Sequence, residues 1–268
     1  MLPLQSMPLD VARAIRVVLT DIDDTLTSEC RLSAAAYQAL ESLEAAGLAV
    51  AAVTGRPAGW CDMIARCWPV AGVVGENGAF YFAYDVHGRR MRRVYAADFA
   101  TRTANRQRLE DVRKRILAAA PAARVAADQA YREADLAIDI GEDVQPLNSA
   151  DVAHILDIFA AAEARAKLSS IHVNGWFGDY DKLTMTRRFA TEILGLDLER
   201  ERERVIFVGD SPNDAPMFGF FPNACGVANV LNFAGRLEAS PTYVTQGAGG
   251  TGFAEVARHL LAARGLAA

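Results

Sequence analysis

Short apolar segments that end in polar or charged residues alternate with helical segments along the first 80 residues. The segment VVLT (17–20) runs directly into DIDDT (21–25), which places three carboxylates within four positions. Like charges this close repel, and each carboxylate loses hydration when it is buried. The sequence therefore predicts a buried strand that ends at a site where a cation or a reacting group is bound.

The segments between these strands carry helix signals. Ser33 can cap a helix that ends at Gly47, and Pro57 can open a second helix. The segments LAVAAVTG (48–55) and VAGVVGENGA (70–79) are typical of two further buried strands. The order strand, helix, strand, helix, strand predicts a parallel α/β sheet.

This pattern is interrupted in the middle of the chain and then returns. A hairpin is predicted to turn at residues 87–88. Beyond it the sequence predicts a charged helix at 98–120, antiparallel strands within 123–141, a capped helix at 149–167, a strand and turn within 168–178, a helix at 182–195, strands within 204–210 and 224–229, and helices at 230–239 and 252–263. We therefore expect a doubly wound α/β core, residues 1–97 and 177–268, with an inserted α+β cap, residues 98–176.

Composition narrows the classes of partner. The 268 residues carry a net charge of −5, whereas proteins that bind nucleic acid are usually basic, so we expect no nucleic-acid partner. A bound cation could still attract a small acidic substrate. We expect no membrane partner, since we find no signal-peptide pattern and no apolar segment long enough to span a bilayer. The four cysteines form no C-x-x-C pair and are typical of reduced thiols, which favours the cytoplasm.

Four polar clusters lie at predicted strand ends: Asp21–Asp23, Thr54–Arg56, Glu76–Gly78 and Gly209–Ser211. Ligands of open parallel sheets bind beyond the carboxyl ends of the strands, so we expect these clusters to converge. Aspartates spaced i and i+2 in an extended segment project to the same side. One can then attack phosphorus while the other donates or accepts a proton.

Two further features suit phosphoryl chemistry at this edge of the sheet. Asp21 and Asp210 together suit Mg²⁺, which binds a few carboxylates along with phosphate oxygens and water. Lys182 and Thr54 would add a positive charge and a hydroxyl donor around a transferring phosphoryl group.

The motifs DIDDT (21–25), Thr54 after an apolar strand, Lys182 at a helix start and GDSPND (209–214) follow one another along the predicted core. In this order the chain resembles phosphatases of the haloacid dehalogenase (HAD) superfamily. The place of the insertion, and NGA at 77–79, are similar to the subclass IIB or Cof-like members, which include sugar-phosphate phosphatases. The resemblance implies a Rossmann-like core and a cap that sets substrate specificity.

The resemblance also implies a role for each motif residue. Asp21 would be the nucleophile and Asp23 the general acid/base, while Thr54 and Lys182 would hold the phosphoryl group. Magnesium would be bound by the Asp21 carboxylate, the Asp23 main-chain carbonyl and Asp210, with Asn213 or Asp214 acting directly or through water.

The expected function is Mg²⁺-dependent hydrolysis of a small phosphorylated metabolite, a sugar phosphate, through an aspartyl-phosphate intermediate. We expect Gly55, Arg56 and Asn77 to join Thr54 and Lys182 in binding the substrate, although a structural ion pair is an equally open role for Arg56. The alternatives are a phosphomutase or phosphotransferase of the same superfamily and a catalytically idle binding module.

Overall fold

The computed structural model describes residues 1–266, which form two β-sheets and the helices that cover them. The strands are β1 (Leu2–Pro3), β2 (Val17–Thr20), β3 (Ala49–Val53), β4 (Gly72–Gly75), β5 (Phe80–Asp85), β6 (Arg90–Tyr95), β7 (Arg124–Val125), β8 (Asp135–Asp139), β9 (Arg165–Leu168), β10 (His172–Trp176), β11 (Val205–Gly209), β12 (Cys225–Gly226) and β13 (Tyr243–Val244). The α-helices are α1 (Leu9–Ala14), α2 (Ala34–Ala45), α3 (Ala58–Cys67), α4 (Phe99–Ala119), α5 (Ser149–Ala161), α6 (Lys182–Phe189), α7 (Leu198–Glu201), α8 (Ala215–Phe220) and α9 (Gly249–Ala262).

The larger sheet has nine strands in the order β1-β13-β12-β11-β2-β3-β4-β5-β6. The pairings from β1 to β4 are all parallel, and β5 and β6 extend the sheet as an antiparallel hairpin. Strand β2 lies between β3 and β11, so the order reverses next to the DIDDT motif. Reversals of this kind create the crevice in which open α/β sheets bind ligands. The predicted α/β fold class is confirmed.

Alternate residues of the central strands face opposite layers of helices. Val18 and Val50 pack in one core with α2 and α9, while Val17 and Leu19 pack in another with α6 and α8. Because both faces of the sheet are covered, these strands are apolar throughout instead of alternating with polar residues.

The second sheet has four antiparallel strands in the order β7-β8-β10-β9, with α4 and α5 against one face. Leu109 of α4, Phe159 of α5 and Val173 of β10 belong to its own hydrophobic core. The sheet lies within the predicted insertion, whose boundaries at residues 98 and 176 stay a prediction.

Two predicted helices differ from the structure. The one expected at 230–239 is wrong: residues 228–233 form 3₁₀ turns, and Gly235 then adopts a left-handed φ of 87°. The helix expected at 149–167 ends at Ala161, because Glu163 adopts a left-handed φ of 58° and the residues that follow form β9. Pairing with β10 overrides the helix propensity of this Ala-, Arg- and Lys-rich segment. The short elements α1, β1 and β13 lack a local signal and were not predicted.

None of the helices within residues 1–266 has the length and apolar character that crossing a membrane requires.

The backbone at Gly78 passes close to Asp181, next to the strand ends. Gly47 is a matched control for a substitution at Gly78. Both have positive φ, but a Cβ at Gly47 would meet no atom within 4 Å, whereas one at Gly78 would lie 2.0 Å from the Asp181 carbonyl oxygen. We expect Gly78→Ala to lower the free energy of unfolding by about 3 kcal/mol or more, and Gly47→Ala by about 1 kcal/mol. Urea unfolding of the two variants measures the difference; equal losses would show that the approach to Asp181 is not tightly packed.

Candidate active site

Four polar side chains follow four neighbouring strands of the large sheet. Asp21 follows β2, Thr54 follows β3, Glu76 follows β4 and Asp210 follows β11. Because the strands are parallel and adjacent, their carboxyl ends meet at one edge, and the four predicted clusters converge there.

A buried ammonium group lies between two buried carboxylates at this edge. Lys182, the first residue of α6, donates to Asp21 Oδ1 at 3.0 Å and to Asp214 Oδ1 at 2.7 Å. All three residues are at most 3% exposed. Burial alone would lower the pKa of Lys182, but the charges of Asp21 and Asp214 raise it above its ordinary value. The ammonium therefore stays protonated, which helps to hold the two aspartates together.

Asp210 completes a cluster of three buried carboxylates. One oxygen from each of Asp21, Asp210 and Asp214 lies within 4.8 Å of the other two. Burial, assisted by the charges of neighbouring aspartates, raises the pKa of Asp21 to about 8 and that of Asp210 well above its usual range. One ammonium does not balance three carboxylates, and an all-oxygen donor set of this charge fits Mg²⁺.

Two polar residues hold Asp210 in place, and sequence analysis gave neither of them a role. Thr25 donates its hydroxyl to Asp210 Oδ1 at 3.2 Å, and Asn229 donates its amide to Asp210 Oδ2 at 3.0 Å. The same Asn229 amide also donates to the Asp24 carbonyl, while its oxygen accepts from the Gly249 N–H. Thr25 could have been found from the DIDDT motif, but Asn229 lies in a segment with no local signal.

The loop after β11 is organised by Asp214. The second oxygen of this side chain accepts backbone N–H groups of Asp210 and Ser211, at 3.0 and 3.3 Å. With one oxygen on Lys182 and the other on the loop backbone, Asp214 has little freedom to turn. Asn213 instead points toward β4 and donates to Asn77 Oδ1 at 3.3 Å. Direct or water-mediated metal binding by Asn213 or Asp214 stays a prediction.

The predicted phosphoryl-binding residues lie beside this cluster. Thr54 is fully buried, and its hydroxyl oxygen accepts the Arg56 N–H at 3.0 Å. A Cβ on Gly55 would lie 3.2 Å from the Asn77 amide nitrogen, so the backbone passes close to Asn77. That amide nitrogen is buried and has no hydrogen-bond partner within residues 1–266, which leaves a donor available beside Gly55. The roles of these residues in binding substrate stay predictions.

Asp23 is held by Arg56 and not by Lys182. Nε of Arg56 lies 2.8 and 2.9 Å from the two Asp23 oxygens, and the guanidinium is almost fully buried. The side chain of Asp23 is 14% exposed, more than the other site aspartates. The two aspartates of the motif therefore meet different cations, Asp21 an ammonium and Asp23 a guanidinium.

Arg56 also connects the site to the second sheet. Its Nη2 donates to Glu142 at 2.7 Å, and its Nη1 lies 3.4 Å from Asp128, which also pairs with Arg132. Of the two roles left open for Arg56, the structure shows the ion pair. The carboxylates of Glu142 and Asp128 had no signal in the sequence, since they meet Arg56 only through the fold.

Glu76 forms a second connection between the sheets. Its buried carboxylate accepts backbone N–H groups of Glu133, Ala134 and Asp135, at the start of β8, and of Ala58 in α3. Burial raises the pKa of Glu76 to about 8, assisted by the charge of Asp135. The strand-end cluster at Glu76 thus contributes to packing between the sheets.

Comparison with known proteins agrees with this geometry. Residues 18–104, which include β2, β3 and β4, match the family model of haloacid dehalogenase-like hydrolases. This segment, which carries the DIDDT motif and Thr54, is therefore similar to these hydrolases. The resemblance inferred from the motifs is confirmed, as is the expectation of an enzyme. No curated protein matches the sequence.

Solved structures share its fold over most of its length. A Thermoplasma acidophilum protein is 19% identical with a TM-score of 0.68, covering 92% of this chain and 98% of its own. The sucrose-phosphatase from Synechocystis sp. PCC6803, solved with sucrose and phosphate, is 15% identical with a TM-score of 0.61, covering 92% and 98%. A sugar phosphatase of HAD subclass IIB is 14% identical with a TM-score of 0.58, covering 86% and 93%. At these identities the likeness shows a shared fold.

The raised pKa of Asp21 predicts a pH-dependent stability. In the folded protein, burial raises the pKa of Asp21 to about 8, whereas in the unfolded chain it returns to its ordinary value of 3.8. The folded state binds more protons in this window, so the free energy of unfolding falls as the pH rises. We expect the melting temperature of the metal-free protein to drop by several degrees between pH 5 and pH 8, and less steeply in Asp21→Asn.

Thermal unfolding in EDTA measures this dependence, and added Mg²⁺ serves as the control because it should flatten the curve for the wild type. An Asp21→Asn variant with the same pH dependence as the wild type would contradict the assignment.

Proposed function

We propose that the protein is a Mg²⁺-dependent phosphatase that hydrolyses a small phosphorylated metabolite, a sugar phosphate, through an aspartyl-phosphate. The observation that carries the proposal is the buried set of Asp21, Lys182, Asp210 and Asp214 at the edge of the sheet. The sucrose-phosphatase and the subclass IIB sugar phosphatase, which share the fold, support the choice of substrate class.

The two aspartates of the motif divide the chemistry. A carboxylate oxygen of Asp21 attacks phosphorus, and the bond from phosphorus to the alcohol oxygen breaks as Asp23 gives that oxygen a proton. Asp23 then takes a proton from water, whose oxygen attacks phosphorus and releases inorganic phosphate and the Asp21 carboxylate.

The remaining residues bind and orient the phosphoryl group. Lys182 and Thr54 would contact its oxygens, with backbone at Gly55 and the free amide of Asn77 beside them. Asp21, the Asp23 carbonyl and Asp210 would hold the ion, with Asn213 or Asp214 directly or through water. When bound, Mg²⁺ would neutralise the crowded carboxylates and the charge that develops on phosphorus.

We further propose that residues 98–176 act as a cap over this site. Asp21 and Arg56 are almost fully buried, so a substrate could enter only if the second sheet moves away from the first. Such a movement would break the contacts of Arg56 with Glu142 and Asp128. Closure would then exclude water from the phosphoryl group. The four free cysteines support a cytoplasmic location.

A phosphatase screen over sugar phosphates with Mg²⁺ tests the proposal. We expect release of inorganic phosphate, loss of activity in EDTA and recovery with added Mg²⁺. We expect Asp21→Asn to lower kcat/KM about a thousandfold or more, because the nucleophile is removed.

Asp24→Asn is the matched control, since it removes a neighbouring carboxylate while keeping a residue type that tolerates the left-handed φ of 54° found there. It should retain activity within about threefold. Release of the first alcohol together with a new phosphate ester on an added second alcohol, without inorganic phosphate, would favour a phosphotransferase. A wild-type protein that hydrolyses no phosphomonoester would favour a binding module.

A further inference from the structure

The alcohol side of the site carries an excess of negative charge. All three nitrogens of the Arg56 guanidinium contact carboxylates: Asp23 from the large sheet, and Asp128 and Glu142 from the second. Arg56 therefore meets three anions in a largely buried interface, and Arg132, which also pairs with Asp128, is shared with the buried Asp135. An arginine can bind an anionic group of a substrate, but each nitrogen of the Arg56 guanidinium already contacts a carboxylate of the protein.

Glu142 is the carboxylate that extends this network across the interface from the second sheet. One of its oxygens lies 2.7 Å from Arg56 Nη2, and the other lies 2.9 Å from His172 Nε2, off the direction of a hydrogen bond. Burial would raise the pKa of Glu142, but its contacts with His172 and Arg56 lower it to about 2. Glu142 is thus ionised, and it shares the guanidinium with Asp23.

Glu142 lies on the side of the site toward which the leaving alcohol would extend. In the proposed reaction Asp23 touches the oxygen that leaves phosphorus, so the remainder of the alcohol extends from Asp23 toward the second sheet. There it meets Glu142 and a guanidinium already neutralised by carboxylates. A second anionic group on the alcohol would face repulsion without a free cation from Arg56.

We propose that Glu142 is a specificity-determining residue that selects phosphate esters of neutral alcohols and rejects those that carry a second anionic group. This inference rests on the proposed phosphatase function. Because Glu142 keeps Arg56 paired, replacing it with glutamine keeps a hydrogen-bond acceptor for Arg56 but removes one negative charge, which leaves the guanidinium able to attract an anion.

Two pairs of esters test the proposal, each differing only by a hydroxymethyl group in place of a carboxylate: glycerol 3-phosphate with 3-phosphoglycerate, and sorbitol 6-phosphate with 6-phosphogluconate. We call the ester without a carboxylate the neutral member of its pair. We expect the wild-type kcat/KM for the neutral member to exceed that for the carboxylate ester about tenfold or more in at least one pair. Glu142→Gln should reduce that ratio to about threefold or less. Asp143→Asn changes the charge equally at an adjacent, exposed side chain and should leave the ratio unchanged.

A wild-type ratio near one, or an unchanged ratio in Glu142→Gln, would overturn the proposal. If the wild type hydrolyses none of the four esters, the screen over sugar phosphates decides the phosphatase function, and calorimetric binding of the four esters to Asp21→Asn with Mg²⁺ decides the inference separately. Tighter binding of the neutral members, lost in the double variant with Glu142→Gln, would support it; equal binding, or no binding, would overturn it.

Discussion

The contact between the Lys182 ammonium and the carboxylates of Asp21 and Asp214 is the interaction on which the site depends. Removing three charged groups from water costs several kcal/mol per ion unless good geometry offsets it. The geometry comes from the parallel sheet, which places Asp21 and the loop of Asp214 on adjacent strands, and from α6, which begins at Lys182. The close approach of Gly78 to Asp181 fixes the start of that helix beside the strand ends.

The proposed site has a phosphoryl end and an alcohol end, which differ in the cation that the carboxylates surround and in origin. The phosphoryl end is built from strand ends and the loop after β11, and its crowded carboxylates suit a divalent cation. The alcohol end lies between the two sheets, where Arg56 joins Asp23 to Glu142 and Asp128. Under the proposed function, the general acid/base Asp23 and the selectivity residue Glu142 share Arg56, so a change at this end would affect both chemistry and selectivity.

The sequence was most informative where local patterns and chemistry coincide. Apolar strands that end in Asp21 and Asp210 predicted both the parallel sheet and the convergence of carboxylates, since parallel strands bring their ends to one edge. It was least informative where long-range contacts decide the outcome. Asn229 reaches Asp210 from a 3₁₀ segment, at a position predicted as the end of a strand, and Glu142 meets Arg56 from a distant part of the chain. The segment that forms β9 has the composition of a helix, but it forms a strand because it pairs with β10.

A crystal structure of the protein with Mg²⁺ and beryllium fluoride, which mimics a phosphoryl group on a carboxylate, tests the central claim most directly. The account predicts one ion bound by oxygens of both Asp21 and Asp210 at about 2.1 Å, with the beryllium attached to Asp21 and its fluorines facing Lys182 and Thr54. An ion bound without Asp21, or beryllium fluoride attached to another side chain, would contradict it.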